Sequence, residues 1–329
     1  MGIRIEAVAT SVPESGGTLE MLIPLFRRHR HKKALILADE AAKKCLEKAG
    51  HESSEVELLI NVGIYRYKNL GEPALASMIQ EDIGADPGTT HSKHLAAGEH
   101  GTFSFDLANG GCGIINGFQI MDRFIRSGML ELGMIVASDC DPTPENLTSG
   151  YAHPAAGGAV LLSPGKEGEG FRGFHFENYP EFESMHESRV AWQDNRFHLP
   201  FSKGGKRGGK NVFSVKEAPG YLARCVECTE ASLEKFLKLQ HLSLQEIDLI
   251  ITSQYPVEFP DVLEQHLQLP GDHVARVSES FAGAFTAAPL IGIDSALRSG
   301  RFQKAHRILF ITVTAGISVG LALYENPAI

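Results

Sequence analysis

The sequence lacks most features that mark membrane, secreted or nucleic-acid-binding proteins. No apolar run in its 329 residues approaches the roughly 20 that a helix needs to cross a bilayer, and its first residues read as a strand rather than a signal peptide. Its five cysteines are an odd number without framework spacing, which favours reduced thiols over disulfides. The net charge of −9 argues against general nucleic-acid binding. We therefore expect a cytoplasmic protein that binds neither membranes nor nucleic acids.

Several catalytic motifs are missing as well. The sequence has no glycine-rich phosphate-binding motif of nucleotide enzymes and no Gly-x-Ser-x-Gly turn of serine hydrolases. Its Cys-x-x-Cys pair, Cys225 and Cys228, lies in a segment with a helical pattern and has no second pair to complete a zinc site. We therefore expect no metal.

The order of apolar segments predicts an α/β protein. Apolar content of 43% and charged content of 22% are typical of globular chains, and the length allows one large unit or two domains. Strands are expected at 3–8, 56–63, 103–107, 134–139 and 158–163, and helices at 32–49, at 73–83 and after residue 112. The run at 56–63 is apolar throughout, as in a parallel sheet that is covered on both faces.

The later part of the chain repeats the order of the first. The segment Asp294–Gly300 matches Asp122–Gly128, and Ser243–Ile251 echoes Ser53–Ile60. Two matches in the same order predict a duplicated βαβ unit. We divide the chain into halves at 1–165 and 166–329, with an insertion over the site at about 166–209.

Cys112 is the candidate nucleophile. It stands at a predicted turn from a strand into a helix, where the helix dipole favours the thiolate and lowers the pKa of the thiol. The flanking Gly110, Gly111 and Gly113 leave room for a substrate carbonyl to approach. A small buried core residue is the alternative. Shifting Cys112 by the repeat offset lands on Ala284, so the two turns are expected to face one another across a pseudo-twofold axis.

A resemblance to a known family brings these features together. The motifs that carry it follow one order along nearly the whole chain: Phe105–Gly113 (Phe-Asp-Leu-Ala-Asn-Gly-Gly-Cys-Gly), Val136–Asp139, His153–Leu162, Asn211–Phe213 and Thr314–Gly320. The chain resembles the thiolase superfamily and, more narrowly, the β-ketoacyl-acyl-carrier-protein synthase III family. This implies two pseudo-symmetric halves in a five-layer αβαβα architecture and a homodimer.

The resemblance also implies a reaction. An acyl group would pass from a coenzyme A or acyl-phosphopantetheine thioester to Cys112, with no tightly bound cofactor. The oxyanion would be held by the backbone N–H of Cys112 and one from the Ala315–Gly316 turn, and such donors are worth about 10²–10³ in rate. The acyl-enzyme would then pass its acyl group to an acceptor.

Two departures from the family pattern bear on that second step. Ser253 stands where the family has a His, and Ala284 where it has an Asn, and those residues hold the enolate formed when a malonyl thioester loses carbon dioxide. A serine is a poor base and an alanine side chain donates nothing. We therefore do not expect standard malonyl decarboxylation.

Two further residues are candidates for the site. His153 stands where the family has a Phe beside the nucleophile, and its near-neutral pKa suits a general base; a packed, hydrogen-bonded histidine is the alternative. Glu72 stands where the family often has an aromatic residue that enters the partner's acyl pocket. It suggests a polar or short acyl group, or a base supplied across the dimer interface, unless it is a solvated loop residue. No role is assigned to His91, His94 or His100.

Two basic runs are candidates for meeting the donor. The runs Phe26–Lys33 and Lys203–Lys210 suit the phosphates of coenzyme A or an acidic carrier protein, although surface solubility explains a single run equally well. The family's coenzyme A-binding loop is shortened between Ser11 and Lys32, which favours a carrier protein.

The leading hypothesis is an acyltransferase of specialised metabolism, polyketide or fatty-acid-derived, that forms an acyl-Cys112 intermediate. The alternatives are a non-catalytic subunit that forms a heterodimer with an active ketosynthase, and a thioesterase-like hydrolase.

Overall fold

The computed structural model describes residues 2–12, 33–66, 71–85, 101–143, 150–194 and 209–327. Its strands are β1 (Gly2–Ser11), β2 (Leu58–Asn61), β3 (Phe103–Asp106), β4 (Gly133–Asp139), β5 (Ala156–Gly165), β6 (Gly170–Asn178), β7 (His186–Asp194), β8 (Gly209–Glu217), β9 (Leu249–Thr252), β10 (Arg307–Thr314) and β11 (Ser318–Glu325). Its α-helices are α1 (Lys33–Ala49), α2 (Leu75–Ile83), α3 (Gly113–Arg126), α4 (Tyr221–Gln240), α5 (Phe259–His266), α6 (Ala288–Arg298) and α7 (Arg301–Lys304).

Two mixed sheets follow the same plan. The first has the order β1-β5-β4-β2-β3 and the second β6-β11-β10-β9, with β2/β4 and β9/β10 parallel and β1/β5 and β6/β11 antiparallel. Val274 makes a parallel bridge to Ile250, in the place that β3 holds beside β2. The duplication predicted from the sequence is confirmed.

The sequence match between α3 and α6 is a match of structure. In α3, Asp122 pairs with Arg126 one turn on, and in α6 Asp294 pairs with Arg298 in the same way. The glycines that follow, Gly128 and Gly300, have φ angles of 73° and 71°, the left-handed conformation typical of a helix end. Equivalent residues therefore end both helices.

Three apolar clusters separate five layers. Helices α1 and α2 cover the outer face of the first sheet, for example with Ala38 and Ile79. Helices α3 and α6 lie between the two sheets with Phe118 and Leu290, and α4 and α5 cover the second sheet with Phe236. The five-layer αβαβα architecture implied by the resemblance is confirmed.

The segment at 166–209, predicted as an insertion, contains regular structure. Strand β6 forms the edge of the second sheet, and β7 pairs with β8 as a separate antiparallel hairpin. The division into halves at 1–165 and 166–329 stays a prediction. Most of β6 is only half-buried and the segment carries charged residues, so its sequence lacks the apolar run that identifies the central strands.

Several predicted features lie outside the described residues. These are His91, His94 and His100 and the two basic runs, except that Lys33 begins α1 and residues 209 and 210 begin β8. Among the residues that the structure does describe, no helix is long and apolar enough to cross a membrane. Within the same ranges no three His, Cys, Asp or Glu side chains are grouped as metal ligands would be.

Asp39 gives the first helix layer a pH-dependent contribution to stability. Its pKa is raised from 3.8 to about 8, mainly by burial and then by the Asp82 carboxyl on α2. A folded-state pKa above the unfolded value stabilises the fold fully below pH 3.8, and this contribution is lost as the pH rises towards about 8. Asp39→Asn removes the ionisation.

We expect the melting temperature of the wild type to fall relative to Asp39→Asn as the pH rises from about 4 to about 8, and then to stay parallel. Thermal melts across this range measure it. Glu47→Gln, at an exposed position of the same helix, is the matched control. Parallel curves for wild type and Asp39→Asn over the whole range would contradict the assignment.

Candidate active site

Cys112 ends a 3-10 turn, Gly110–Cys112, that leads directly into α3. Gly110 has a φ of 49°, and a Cβ on it would overlap the hydroxyl of Thr314. A Cβ on Gly111 would lie 2.8 Å from the carbonyl oxygen of Val313. The glycines are therefore needed because the turn packs directly against the end of β10.

The thiol is closed off from solvent. The side chain of Cys112 is 1% exposed, and its Sγ lies 3.5 Å from the carbonyl oxygen of Ser318 and 3.7 Å from that of Thr312. Burial raises the pKa of the Cys112 thiol from 9.0 to about 12, despite hydrogen bonds from Thr312 and Gly320 that lower it. The expected lowering by the helix dipole is thus wrong for this conformation, because the cost of desolvating a thiolate outweighs it.

The two predicted oxyanion donors differ in whether they already make a hydrogen bond. The Cys112 N–H donates to the carbonyl oxygen of Asn109 at 3.0 Å, as part of the 3-10 turn. Ala315 is exposed and Gly316 has a φ of 110°, in the turn between β10 and β11. Within the described ranges, the backbone N–H groups of Ala315 and Gly316 have no hydrogen-bond partner. The oxyanion hole stays a prediction.

Ser253 lies beside the turn, whereas Ala284 is a core residue without a polar side-chain group. The Ser253 hydroxyl accepts a hydrogen bond from the Val313 N–H at 3.0 Å, and a Cβ on Gly111 would lie 3.6 Å from that hydroxyl. Ala284 is fully buried in the core between the two sheets. Glu72 is exposed just before α2, and it has no hydrogen bond or ion pair with any described residue.

His153 sits in an aromatic cluster. Its Nδ1–H donates to the carbonyl oxygen of Gly283 at 3.0 Å, and its ring stacks on Phe285 and meets Tyr255 edge-on at 4.5 Å between centroids. Burial lowers the pKa of the His153 imidazole. None of its hydrogen bonds or ring contacts within the described ranges involves Cys112. Its catalytic role stays a prediction.

Asp139, at the end of β4, ties the two halves together below the site. One carboxylate oxygen accepts from the N–H groups of Ile64 and Tyr65 at 3.0 and 2.8 Å. The other accepts from the N–H of Thr286 at 2.9 Å and from its hydroxyl. The sequence placed Asp139 only in a strand motif; an acidic residue in a strand that is buried throughout is the signal that points to such a role.

A cavity of about 260 Å³ opens where these elements meet. Its walls come from both halves and from the β7–β8 hairpin, and its lining residues are Ile64, Tyr65, Asn109, Gly110, His186, Ser188, Tyr221, Tyr255, Phe285, Thr314 and Ala315. The turns that carry Cys112 and Ala284 both reach it, through Gly110 and Phe285. The aromatic side chains and the His186 side chain of this lining were not predicted from the sequence, because they come from separate parts of the chain.

Comparisons with known proteins agree with this architecture. The family model described as 3-oxoacyl-[acyl-carrier-protein] synthase III C terminal matches residues 237–326. The β-ketoacyl-[acyl-carrier-protein] synthase III of Acidiphilium cryptum is 25% identical over 327 residues, covering 96% of this chain and 92% of that protein. That of Anaplasma marginale is 24% identical, covering 87% and 82%.

Solved structures extend the similarity to the whole fold. The 3-oxoacyl-[acyl-carrier-protein] synthase III of Aquifex aeolicus superposes with a TM-score of 0.73 at 16% identity, covering 99% of this chain and 100% of that one. A Xanthomonas campestris OleA structure with bound lauric acid and lauroyl-CoA has a TM-score of 0.70 at 16% identity, with 99% of each chain covered. The chain is therefore similar to synthase III proteins in its C-terminal sequence, and it shares their fold over its whole length.

The C-terminal family match contains four of the predicted site residues. Ser253, Ala284, Ala315 and Gly316 all lie inside residues 237–326. The similarity therefore includes both the turn between β10 and β11 and the two positions at which the family pattern is broken.

Proposed function

We propose that this protein is an acyltransferase of the ketosynthase III type, with Cys112 as the acyl carrier. The observation that carries the proposal is the convergence of the Cys112 turn and the β10–β11 turn at the wall of one cavity. The relatives named above as β-ketoacyl-[acyl-carrier-protein] synthase III support acyl transfer as the reaction class. The donor is an acyl-carrier-protein or coenzyme A thioester, and no tightly bound cofactor takes part.

The first step requires Cys112 to leave its resting contacts. The Cys112 sulfur attacks the thioester carbonyl, the donor's own carbon–sulfur bond breaks, and the departing donor thiolate takes the proton that Cys112 gives up. The Sγ must therefore turn away from the carbonyl oxygens of Thr312 and Ser318. The backbone N–H groups of Ala315 and Gly316 are available to the tetrahedral oxyanion. The Cys112 N–H joins them only if it gives up its hydrogen bond to Asn109.

The second step is transfer to a preformed nucleophile. The Ser253 hydroxyl has a single O–H to donate and is a poor base, and Ala284 has no polar side-chain group, so the His and Asn pair that would hold a malonyl-derived enolate is missing. This supports an acyltransferase of specialised, polyketide or fatty-acid-derived metabolism. We place the enzyme in the cytoplasm as a homodimer, in which the exposed Glu72 faces the partner subunit.

A second candidate is a non-catalytic subunit that pairs with an active ketosynthase. The closed thiol favours it: Cys112 is 1% exposed, and burial raises the pKa of its thiol to about 12. A protein that keeps the fold for dimerisation has no need of an accessible nucleophile.

Thiol release from acyl thioesters tests the proposal. We expect the wild type to release the thiol from at least one member of a panel of acyl-coenzyme A and acyl-carrier-protein thioesters, and Cys112→Ala to lower the rate by about 10⁴-fold or more. Cys140→Ala, at another buried cysteine of the same half, is the matched control and should retain the activity.

Equal rates for Cys112→Ala and Cys140→Ala would overturn Cys112 as the acyl carrier. If the wild type alone releases no thiol but raises the activity of a purified ketosynthase partner when the two are mixed, the non-catalytic subunit is favoured. A free carboxylic acid as the acyl product would identify water as the acceptor and the protein as a hydrolase.

A further inference from the structure

Three polar side chains form one wall of the cavity next to the β7–β8 hairpin. His186 begins β7 and Glu217 ends β8, and the two residues are directly opposite in the antiparallel register. Tyr255 reaches the same place from the loop after β9. His186 and Tyr255 line the cavity, and Glu217 lies behind them and is 37% exposed.

The hydrogen bonds among these groups define the tautomer of the histidine. The Tyr255 hydroxyl donates to Oε1 of Glu217, because an ionised carboxylate only accepts. The Tyr255 oxygen is then free to accept, and Nε2 of His186 lies 3.4 Å from it and 3.7 Å from Oε1 of Glu217. A neutral His186 therefore carries its proton on Nε2, which leaves the lone pair on Nδ1.

Nδ1 of His186 differs from the other polar atoms of this wall in its hydrogen bonding. It is buried, and it has no hydrogen-bond partner in another described residue, while the whole side chain is 8% exposed. Buried polar atoms are nearly always hydrogen-bonded in native proteins, since an unpaired one loses its hydration without compensation. His186 lines the cavity although Nδ1 itself is covered in the resting structure, so its unpartnered lone pair can accept a proton from a bound molecule once binding uncovers it.

We propose that His186 is the general base of the second half-reaction, and that it takes the proton of a hydroxyl, amine or water acceptor held in the cavity. Tyr255 and Glu217 are its positioning residues. This inference rests on the proposed acyl transfer through Cys112 and deepens it. His153, which packs edge-on against Tyr255, supports the wall.

The step balances in atoms and charge. The acceptor's X–H proton passes to Nδ1 of His186 while the X lone pair forms a bond to the acyl carbonyl carbon. The tetrahedral intermediate collapses, the bond from that carbon to Sγ of Cys112 breaks, and the acyl–X product forms. The proton on the imidazolium then returns to the Cys112 sulfur, which regenerates the neutral thiol and the neutral histidine.

The electrostatic surroundings suit a base that is neutral at pH 7. Burial lowers the pKa of His186, the Glu217 carboxylate from β8 raises it, His153 lowers it further, and a contact of the ring with its own backbone raises it. The other titratable groups that face the ring are the phenols of Tyr255 and of Tyr221 on α4, whose pKa values are raised by burial. Both phenols stay protonated, so Glu217 supplies the negative charge that stabilises the imidazolium.

The cavity limits the acceptor to a small molecule. Its volume of about 260 Å³ is below the roughly 300–1,000 Å³ of drug-sized sites. Four aromatic rings line it, those of Tyr65, Tyr221, Tyr255 and Phe285, and Ser188 adds a hydroxyl. A small, flat acceptor with one hydroxyl or amine fits this lining.

Decay of the preloaded acyl-enzyme tests the inference. Cys112 is loaded from a short-chain acyl thioester, excess donor is removed, and loss of the acyl mass is followed with water alone as the acceptor. In the wild type we expect decay that is slow at acid pH and independent of pH from about 7 to 9, because His186 is then neutral. In His186→Asn we expect decay about 10²–10⁴-fold slower at pH 7, rising tenfold per pH unit as hydroxide takes over.

Variants of the two positioning residues change the pH profile of decay, which a purely structural role would leave unchanged. Glu217→Gln removes the charge that raises the pKa of His186, so the inflection of its pH profile should shift to lower pH with about tenfold slower decay. Tyr255→Phe keeps the ring and should slow decay to a similar extent. His175→Asn, at a second His–Glu pair away from the cavity, is the matched control.

Hydroxylamine, a strong nucleophile, separates access from base catalysis. It should discharge all acyl-enzymes at similar rates, which shows that the acyl group is equally reachable in each variant. If the His186→Asn acyl-enzyme decays at the wild-type rate and with the wild-type pH profile, His186 is not the base, and the proposed acyl transfer through Cys112 still stands. Failure of wild-type Cys112 to accept any acyl group would overturn both proposals.

Discussion

Asp139→Ala is expected to lower the free energy of unfolding by about 4–6 kcal/mol, because it leaves several buried donors without an acceptor. The carboxylate accepts from three backbone N–H groups and one hydroxyl, and Asp139 is 1% exposed. Each orphaned donor costs about 1–3 kcal/mol, and the costs overlap because relaxation and water relieve some of them. Urea-induced unfolding measures the change.

A matched control separates this effect from the loss of any capping carboxylate. Asp248 also accepts from two backbone N–H groups, those of His306 and Arg307, but at the exposed end of the second sheet. Asp248→Ala should cost about 1–2 kcal/mol, because water replaces the lost acceptor. Similar losses for the two variants would contradict the role of Asp139 as the buried link between the halves.

Cys112 is expected to react with iodoacetamide about 10³-fold more slowly than glutathione at pH 8. The pKa of its thiol, raised by burial from 9.0 to about 12, leaves roughly a thousandth of the usual thiolate, and 1% exposure slows access further. The rate should rise about tenfold per pH unit up to the folded pKa, since the thiolate is the reacting species. Peptide mapping of the alkylated protein measures the alkylation of Cys112 separately from that of the other cysteines.

The denatured protein is the control for this measurement. In urea all five cysteines should be alkylated at rates close to that of glutathione. Alkylation of folded Cys112 within tenfold of the glutathione rate would contradict the closed resting state. A slow resting thiol is compatible with acyl transfer if binding of the donor releases Sγ from Thr312 and Ser318.

Much of the fold was predictable from local pattern. Apolar periodicity placed α3, and the match of Asp122–Gly128 to Asp294–Gly300 indicated the duplication, because equivalent helices keep the same ion pair and the same terminal glycine. Strand β6 was missed as part of the second sheet. Its pairing with β11 depends on a partner well over a hundred residues away, which no local pattern reveals.

The glycine-flanked turn at Cys112 was predictable from the sequence, whereas the surroundings of its thiol were not. Glycines on both sides of Cys112 pointed to the turn, and the structure shows why they are needed against Thr314 and Val313. The high pKa of Cys112 comes from burial below β10 and β11, whose residues are about 200 positions away in sequence. Sequence reasoning therefore applied the helix dipole without the larger desolvation cost.

His186 illustrates the same limit for the cavity wall. The chain contains 14 histidines, and nothing in its local sequence separates His186 from the others. Its chemical position follows from the register that sets it opposite Glu217, and from the loop that brings in Tyr255. His153 drew attention through a family comparison, whereas the structure gives it an aromatic cluster and a bond to Gly283.

Mass spectrometry of the intact acyl-enzyme shows whether Cys112 carries the acyl group. The intact protein, incubated with acyl thioesters and quenched in acid, should gain the mass of one acyl group, and peptide mapping should place that group on Cys112. Cys112→Ala should gain none, while Cys140→Ala should match the wild type. No adduct on the wild type with any donor, or an adduct that persists in Cys112→Ala, would contradict the account.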